Sequence, residues 1–168
     1  MQLNFIFKND KKKILEKLEY YGIKELPFLL IESGKEKVRG YSGSLSIKEI
    51  QEIEHAVRIE LVGMYLFHNY HDEIRLSFDA IYALKDKITK NIIEITDMQA
   101  NEFLKGRDIL LMKEDEEKFK STKEEHGFKV IRNQGDLIGF GKLVEGRIIN
   151  YMPKNADLDS CFSIQKSF

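Results

Sequence analysis

Residues Gly127 to Pro153 read GFKVIRNQGDLIGFGKLVEGRIINYMP, and this stretch decides the fold of the C-terminal half. Gly135-Asp136 and Glu145-Gly146 separate its apolar runs. Such residues suit tight reversals, whose central positions require φ > 0. The pattern predicts a meander of short strands. The middle strand, Leu137 to Leu143, carries Gly139 and Gly141 on either side of Phe140. Glycine weakens a strand, and two glycines two residues apart lie on the same face. Either they mark a barrel corner or bulge, or they leave a bare face that another backbone or a ligand approaches.

Upstream of the meander, Asn91 to Thr96 (NIIEIT) reads as a short strand. Thr96 and Gln99 form a candidate capping box that opens a helix from Asp97 to Leu104. Gly106 ends that helix, and Arg107 to Met112 returns as a strand. Lys113 to His126 (KEDEEKFKSTKEEH) has no apolar period and predicts a solvated loop or helix. Glu114, Asp115, Glu116 and Glu117 are interleaved there with Lys113, Lys118, Lys120 and Lys123. That mixture favours a self-paired surface over a cation site. Asn155 to Phe168 reads as a tail able to dock Leu158, Phe162 and Ile164. Several short strands with regular turns and one helix predict a small barrel plugged at its end.

The first half follows different rules. A helix is expected from an Asp10 N-cap to Tyr21, with Gly22 at its end and Ile14, Leu15, Leu18 and Tyr21 as its buried stripe. Leu26 to Ile31 and Lys37 to Tyr41 form a hairpin around Gly34. Ser46 and Glu49 make another capping box. Ala56 to Phe67 reads as the strongest strand, and Ile74 to Leu76 pairs back on it. Ser77 caps a helix through Leu84 that buries Phe78, Ile81, Tyr82 and Ala83. This order predicts a small α+β domain.

Composition narrows the function classes. The chain has 168 residues and a net charge of −1, so a nucleic-acid site would have to be a local patch. Cys161 is the only cysteine, which excludes an intramolecular disulfide and points to a cytoplasmic protein. No apolar run is long enough to span a bilayer, and no secretory signal is recognisable. His68 and His71 form His-x-x-His, but a zinc site needs further ligands. Cys161 has no His-Asp set to activate it as a nucleophile. No strand is followed by a glycine-rich turn and helix, as a nucleotide-type methyl-donor site would require. The expectation is a protein without catalytic residues, metal or cofactor.

The residues quoted also resemble a known family. TKNIIEIT, the helix end FLKGRDI and the GFKVIRNQGDLIGFGKLVEGRIINYMPK meander are similar to a PUA domain, an RNA-binding pseudo-barrel. Glu60 through Lys142 resembles the pre-PUA plus PUA pair of the Nip-type ribosome-biogenesis factors, on LVGMYLFHNYHDEIRLSFDAIYAL and FLKGRDIL. A similar pair forms the accessory region of archaeal RNA cytosine-5 methyltransferases. The resemblance implies an α+β protein with an N-terminal pre-PUA-like domain over 1–87 packed on a PUA-like barrel over 88–168, with the charged insertion at 113–126.

Local charge agrees with that implication. Between His126 and Lys154 the cations Lys129, Arg132, Lys142, Arg147 and Lys154 face only Asp136 and Glu145, a local net of +3. Lys90, Lys105 and Arg107 join this set if the family geometry applies. Gly106, Gly139 and Gly141 would shape the groove, with the glycine pair letting RNA come close. Tyr151 and Phe140 are stacking candidates, although Phe140 is expected in the core. The function expected is non-catalytic binding of structured RNA, rRNA or tRNA, in ribosome biogenesis, with a protein partner taken by the N-terminal domain. The alternatives are an RNA-targeting subunit for a modification enzyme such as a methyltransferase, and a protein-interaction module that binds no RNA.

Overall fold

Two antiparallel-rich sheets, each accompanied by short helices, make this an α+β protein. The computed structural model describes residues 3–34, 36–70, 73–111 and 127–152. The chain divides into two units between Asn91 and Ile92.

In the first unit, β1 (Asn4–Phe5), β2 (Leu29–Ser33), β3 (Lys37–Tyr41), β4 (Met64–Asn69) and β5 (Ile74–Leu76) form one sheet in sequence order. Every neighbouring pair is antiparallel. The β2–β3 hairpin turns at Gly34, whose φ of 74° is the left-handed value expected there. Helices α1 (Lys8–Leu18), α2 (Ile47–Ala56) and α3 (Phe78–Ala83) accompany the sheet. Leu18, Tyr21, Ile23, Leu30, Ile31, Leu66, Phe67 and Ile81 are fully buried and form the core. The Tyr21 hydroxyl donates to the Ile74 carbonyl at 2.7 Å, fastening the turn after α1 to β5.

Three expectations for this unit change. Asp10 does not cap α1. The helix begins at Lys8, and Asp10 lies in its first turn, where a carboxylate suits the dipole and takes a bond from Lys13. The stripe of α3 is Ala80, Ile81 and Leu84, while Tyr82 and Ala83 are exposed. Ala80, Ile81 and Leu84 fall within one arc of the helix and turn it toward the core, which leaves Tyr82 and Ala83 on the opposite side. The long strand from Ala56 is the largest difference. Helix α2 runs through Ala56, residues 58–62 take no regular structure, and β4 begins only at Met64. Gly63 causes the break: its φ is 73°, and a Cβ there would stand 2.4 Å from the Gly40 carbonyl oxygen. The Ser46–Glu49 capping box forms as expected, with both reciprocal bonds made.

The second unit contains β6 (Ile92–Glu94), α4 (Asp97–Leu104), β7 (Ile109–Leu110), β8 (Gly127–Asn133), β9 (Asp136–Val144) and β10 (Arg147–Asn150). Its sheet runs β6-β8-β9-β10-β7, with β6 parallel to β8 and the other pairs antiparallel. Helix α4 has the predicted bounds and the Thr96–Gln99 capping box. The meander is also as predicted, with one shift at its first turn. Gln134 and Gly135, at φ of 49° and 91°, occupy the reversal, and Asp136 already pairs with Asn133. The second turn uses Glu145 and Gly146, both at positive φ. The insertion Lys113 to His126, Lys154, Cys161 and the C-terminal tail lie outside the described residues, as does His71. Among the described residues no three acidic, histidine or cysteine side chains group as a metal site, and no helix is long and apolar enough to cross a membrane.

Candidate nucleic-acid interface

The glycine pair on β9 is explained by the protein's own packing. A Cβ on Gly139 would lie 2.5 Å from the Met152 sulfur and 2.9 Å from the Phe103 ring. A Cβ on Gly141 would lie 2.4 Å from Ile148 and 2.7 Å from the Ile149 carbonyl oxygen. Both glycines are buried, along with Ile138 and Phe140 between and beside them. Strand β9 is thus covered on both faces at its centre. Phe103 of α4 fits against the strand because position 139 has no side chain. The expectation that these two glycines present bare backbone to a ligand is therefore corrected: protein side chains fill that space. Phe140 belongs to the core and offers no stacking surface.

The cations separate into distinct groups. Lys129 pairs across β8–β9 with Gly141, on the face occupied by Ile131, and only 1% of it is exposed. Burial removes it from any surface that could touch phosphate, which corrects its inclusion among the RNA-facing cations. Lys90 falls in the first unit, where its Nζ donates to Glu19 at 2.8 Å. Arg132 stands at the β6 edge of the sheet, paired with Glu94 at 2.5 Å across the parallel β6–β8 register.

Lys142, Arg147, Lys105 and Arg107 remain on the β9–β10 side of the unit. Arg147 lies opposite Leu110 on β7 and Val144 on β9, and Ile149 lies opposite Lys142. Alternation along the strands places Arg147, Ile149, Lys142 and Val144 on one face of the sheet. Arg147 and Leu110 are exposed, whereas Lys142, Val144, Ile149 and Tyr151 are half-buried. The Lys142 ammonium sits 5.1 Å from the centre of the Phe128 ring, its cross-strand neighbour. Tyr151 meets that ring edge-on at 5.3 Å. A cation on an aromatic ring beside an accessible tyrosine is a surface that can hold both phosphate and base.

Lys105 and Arg107 extend from the end of α4 and share one acceptor, the Glu102 carboxylate. Hydrogen bonds from Lys105 and then from Arg107 hold that carboxyl below the usual carboxylate range. Gly106 lets the chain turn between them, with φ at 81° and open space where a side chain would be. Asn150 secures this corner to β10. Its amide group donates to the Phe103 carbonyl at 2.6 Å and the Arg107 carbonyl at 3.1 Å, while the Asp108 carboxylate accepts from its backbone N–H at 2.9 Å. At the opposite end of α4, Asn133 and Gln134 of the first turn donate to Asp97, and these bonds lower the Asp97 pKa. Both ends of α4 are thus tied to the meander.

Sequence reading missed Glu102 and Asn150. The Glu102 signal was present, because a glutamate three residues before Lys105 is a standard helical ion pair. Asn150 left little local signal, because the acceptors of its amide group and of its backbone N–H lie more than forty residues away.

The second unit thus consists of short strands around a capped helix, with a glycine-bearing meander joined to both helix ends. The second unit is a PUA domain: residues 90–156 match the PUA domain of methyltransferase RsmF. Among solved structures, a conserved PUA domain protein from Thermoplasma acidophilum is similar over 96% of this chain and 99% of that one. Its TM-score is 0.57 at 16% identity. Among curated proteins, the ribosomal RNA small subunit methyltransferase F of Aeromonas salmonicida is 26% identical over 109 residues, 65% of this chain and 21% of that protein. The protein of the same name from Shewanella halifaxensis is 27% identical over 155 residues, 92% of this chain and 30% of that one. The chain therefore spans between a fifth and a third of the methyltransferases it resembles.

Proposed function

We propose that this chain is a non-catalytic RNA-binding module that works with ribosomal RNA, its PUA domain holding structured RNA through Lys105, Arg107, Lys142 and Arg147. The observation that carries this reading is the match of residues 90–156 to the PUA domain of an rRNA methyltransferase. The placement of those four cations around α4 and β10, with Tyr151 beside Lys142, supports it. Lys and Arg neutralise phosphates and fix the position of the RNA, and the aromatic side chain adds base stacking. Lys154, the remaining cation of the expected set, adjoins this strand in sequence and belongs to the proposal on that ground.

Within RNA biology, the relatives favour RNA modification over ribosome assembly, since both are named as methyltransferases of the small-subunit rRNA. In this reading the domain delivers RNA to a methyltransferase centre that residues 1–168 do not supply, and it works in the cytoplasm. Fluorescence anisotropy with a structured rRNA fragment tests it. The double variant Lys142→Glu with Arg147→Glu should weaken binding at least tenfold while leaving the melting temperature within a few degrees. Unchanged affinity in that variant removes β9 and β10 from the interface.

A further inference from the structure

The segment between α2 and β4 has the sequence of a strand but takes no regular structure in the first unit. Its sequence, Val57-Arg-Ile-Glu-Leu-Val62, alternates apolar and other residues as a β-strand does, yet it pairs with nothing in the first unit. It is held at both ends. The Val57 N–H donates to Ile53 at the end of α2, and Val57 is already extended, at φ −140° and ψ 153°. At the other end, Arg39 Nε donates to the carbonyls of Val62 at 3.2 Å and Gly63 at 2.9 Å. Between these anchors, no hydrogen bond among the described residues engages the backbone of Arg58, Ile59, Glu60 or Leu61. Val57 is 56% exposed and Leu61 66%, and Arg58 and Glu60 are exposed as well. A run of free N–H and C=O groups flanked by exposed apolar side chains is a template for strand addition.

The sequence of the segment specifies its occupant. We infer that residues 57–61 pair antiparallel with the same residues of a second copy of this chain, about a two-fold axis at Ile59. In that register Arg58 faces Glu60 of the second copy and Glu60 faces its Arg58. Both rows of charge are satisfied by opposite charge. On the other face Val57 meets Leu61, Ile59 meets Ile59, and Leu61 meets Val57, an unbroken apolar row. A two-fold interface must be self-complementary, and this segment meets that requirement in both charge and apolarity. Exposed strands are commonly protected by charged side chains, above all lysine, and by proline. Residues 57–62 contain no lysine or proline, and their two charges, Arg58 and Glu60, are of opposite sign and complement each other across the axis. The pairing does not depend on the RNA-binding reading, because it uses only the first unit.

Sedimentation velocity of the full chain across a concentration series tests the pairing. The wild-type protein should shift from monomer to dimer as concentration rises. Arg58→Glu places two glutamates opposite each other, and Glu60→Arg places two arginines opposite each other. Each variant alone should weaken dimerisation at least roughly tenfold, since like charges directly opposite are unfavourable in a sheet. Mixing the two variants restores opposite charges, as does combining both changes in one chain, and either should recover the dimer. Circular dichroism melts of the single variants should match the wild type, because both side chains are exposed. A wild-type protein that stays monomeric at the highest concentration overturns the inference. So does a dimer that neither single variant weakens, and so does a mixture that remains monomeric.

Discussion

Replacing Gly141 by alanine distinguishes a glycine kept for packing from one kept for ligand approach. In an ordinary strand this change would be favourable by about 0.5–1 kcal/mol, because glycine loses more conformational freedom on folding. Here the new methyl group would lie 2.4 Å from Ile148 Cγ2 and 2.7 Å from the Ile149 carbonyl oxygen. The Ile148 methyl can rotate away only within a filled core. The carbonyl is main chain of β10, fixed by its pairing with Lys142. Overpacking of this kind costs about 1–3 kcal/mol, which leaves a net loss of up to about 2.5 kcal/mol, centred on about 1.2 kcal/mol, after the glycine term. For a domain of this size the central value lowers the melting temperature by roughly 5–10 °C. Gly135→Asn is the control for backbone strain without packing, because nothing lies within 4 Å of Gly135 and asparagine enters the left-handed region at a smaller cost than most residues, although φ of 91° strains any side chain. Thermal unfolding followed by circular dichroism should show a larger loss in Gly141→Ala than in Gly135→Asn. Well below its melting temperature, Gly141→Ala should bind RNA within twofold of the wild type. An unchanged melting temperature with RNA affinity reduced tenfold would refute the packing account and return Gly141 to the interface.

Two further outcomes follow from the charge arrangement. Glu102 competes with phosphate for Lys105 and Arg107, so Glu102→Gln should strengthen RNA binding by roughly two- to fivefold, the range set by exposed ion pairs; a weaker complex, measured by anisotropy, would mean that these cations do not face RNA. In the first unit, burial, opposed by the nearby Glu36 carboxylate, holds the His68 imidazole below its ordinary pKa of 6.5, and its Nδ1 is buried with no partner among the described residues. A histidine whose folded pKa is depressed takes up its proton more readily in the unfolded chain. Its stabilising contribution is therefore present above pH 6.5 and is lost as pH falls below that value toward the folded pKa. The melting temperature should drop between pH 7 and pH 5.5, and His68→Phe should flatten part of that drop; an equally steep profile in the variant assigns it to other groups.

The C-terminal half could be read closely from its sequence because its signals are local. Single glycines at left-handed turns, a Thr-x-x-Gln capping box and a short helix between two apolar runs each act within a few residues. Helix α4 accordingly has its predicted bounds, and the meander differs only by one position at Gln134-Gly135. The first half was less legible where tertiary contact overrides local pattern. The alternation of Val57 to Phe67 suggests one long strand, but Gly63 must pass against the Gly40 carbonyl, and that requirement breaks the run. Site residues were hardest to read, because composition counts cations without placing them. Lys129 looked like its neighbours until strand register set it opposite Gly141 in a buried position. The pairing of both Lys105 and Arg107 with Glu102 depends on how the chain turns at Gly106.

The central claim is that this protein holds structured RNA by phosphate contacts through its PUA domain. The most direct test is the affinity of the full chain for a structured rRNA fragment as a function of salt. If Lys105, Arg107, Lys142 and Arg147 each neutralise one phosphate, the slope of log affinity against log salt should be about −2.8 to −3.6. Affinity should then fall roughly fifty- to a hundred-and-fiftyfold between 50 and 200 mM salt. Lys142→Glu with Arg147→Glu should make that slope shallower by about 1.5–2. The absence of binding at 50 mM salt, or an affinity that does not respond to salt, would contradict the account.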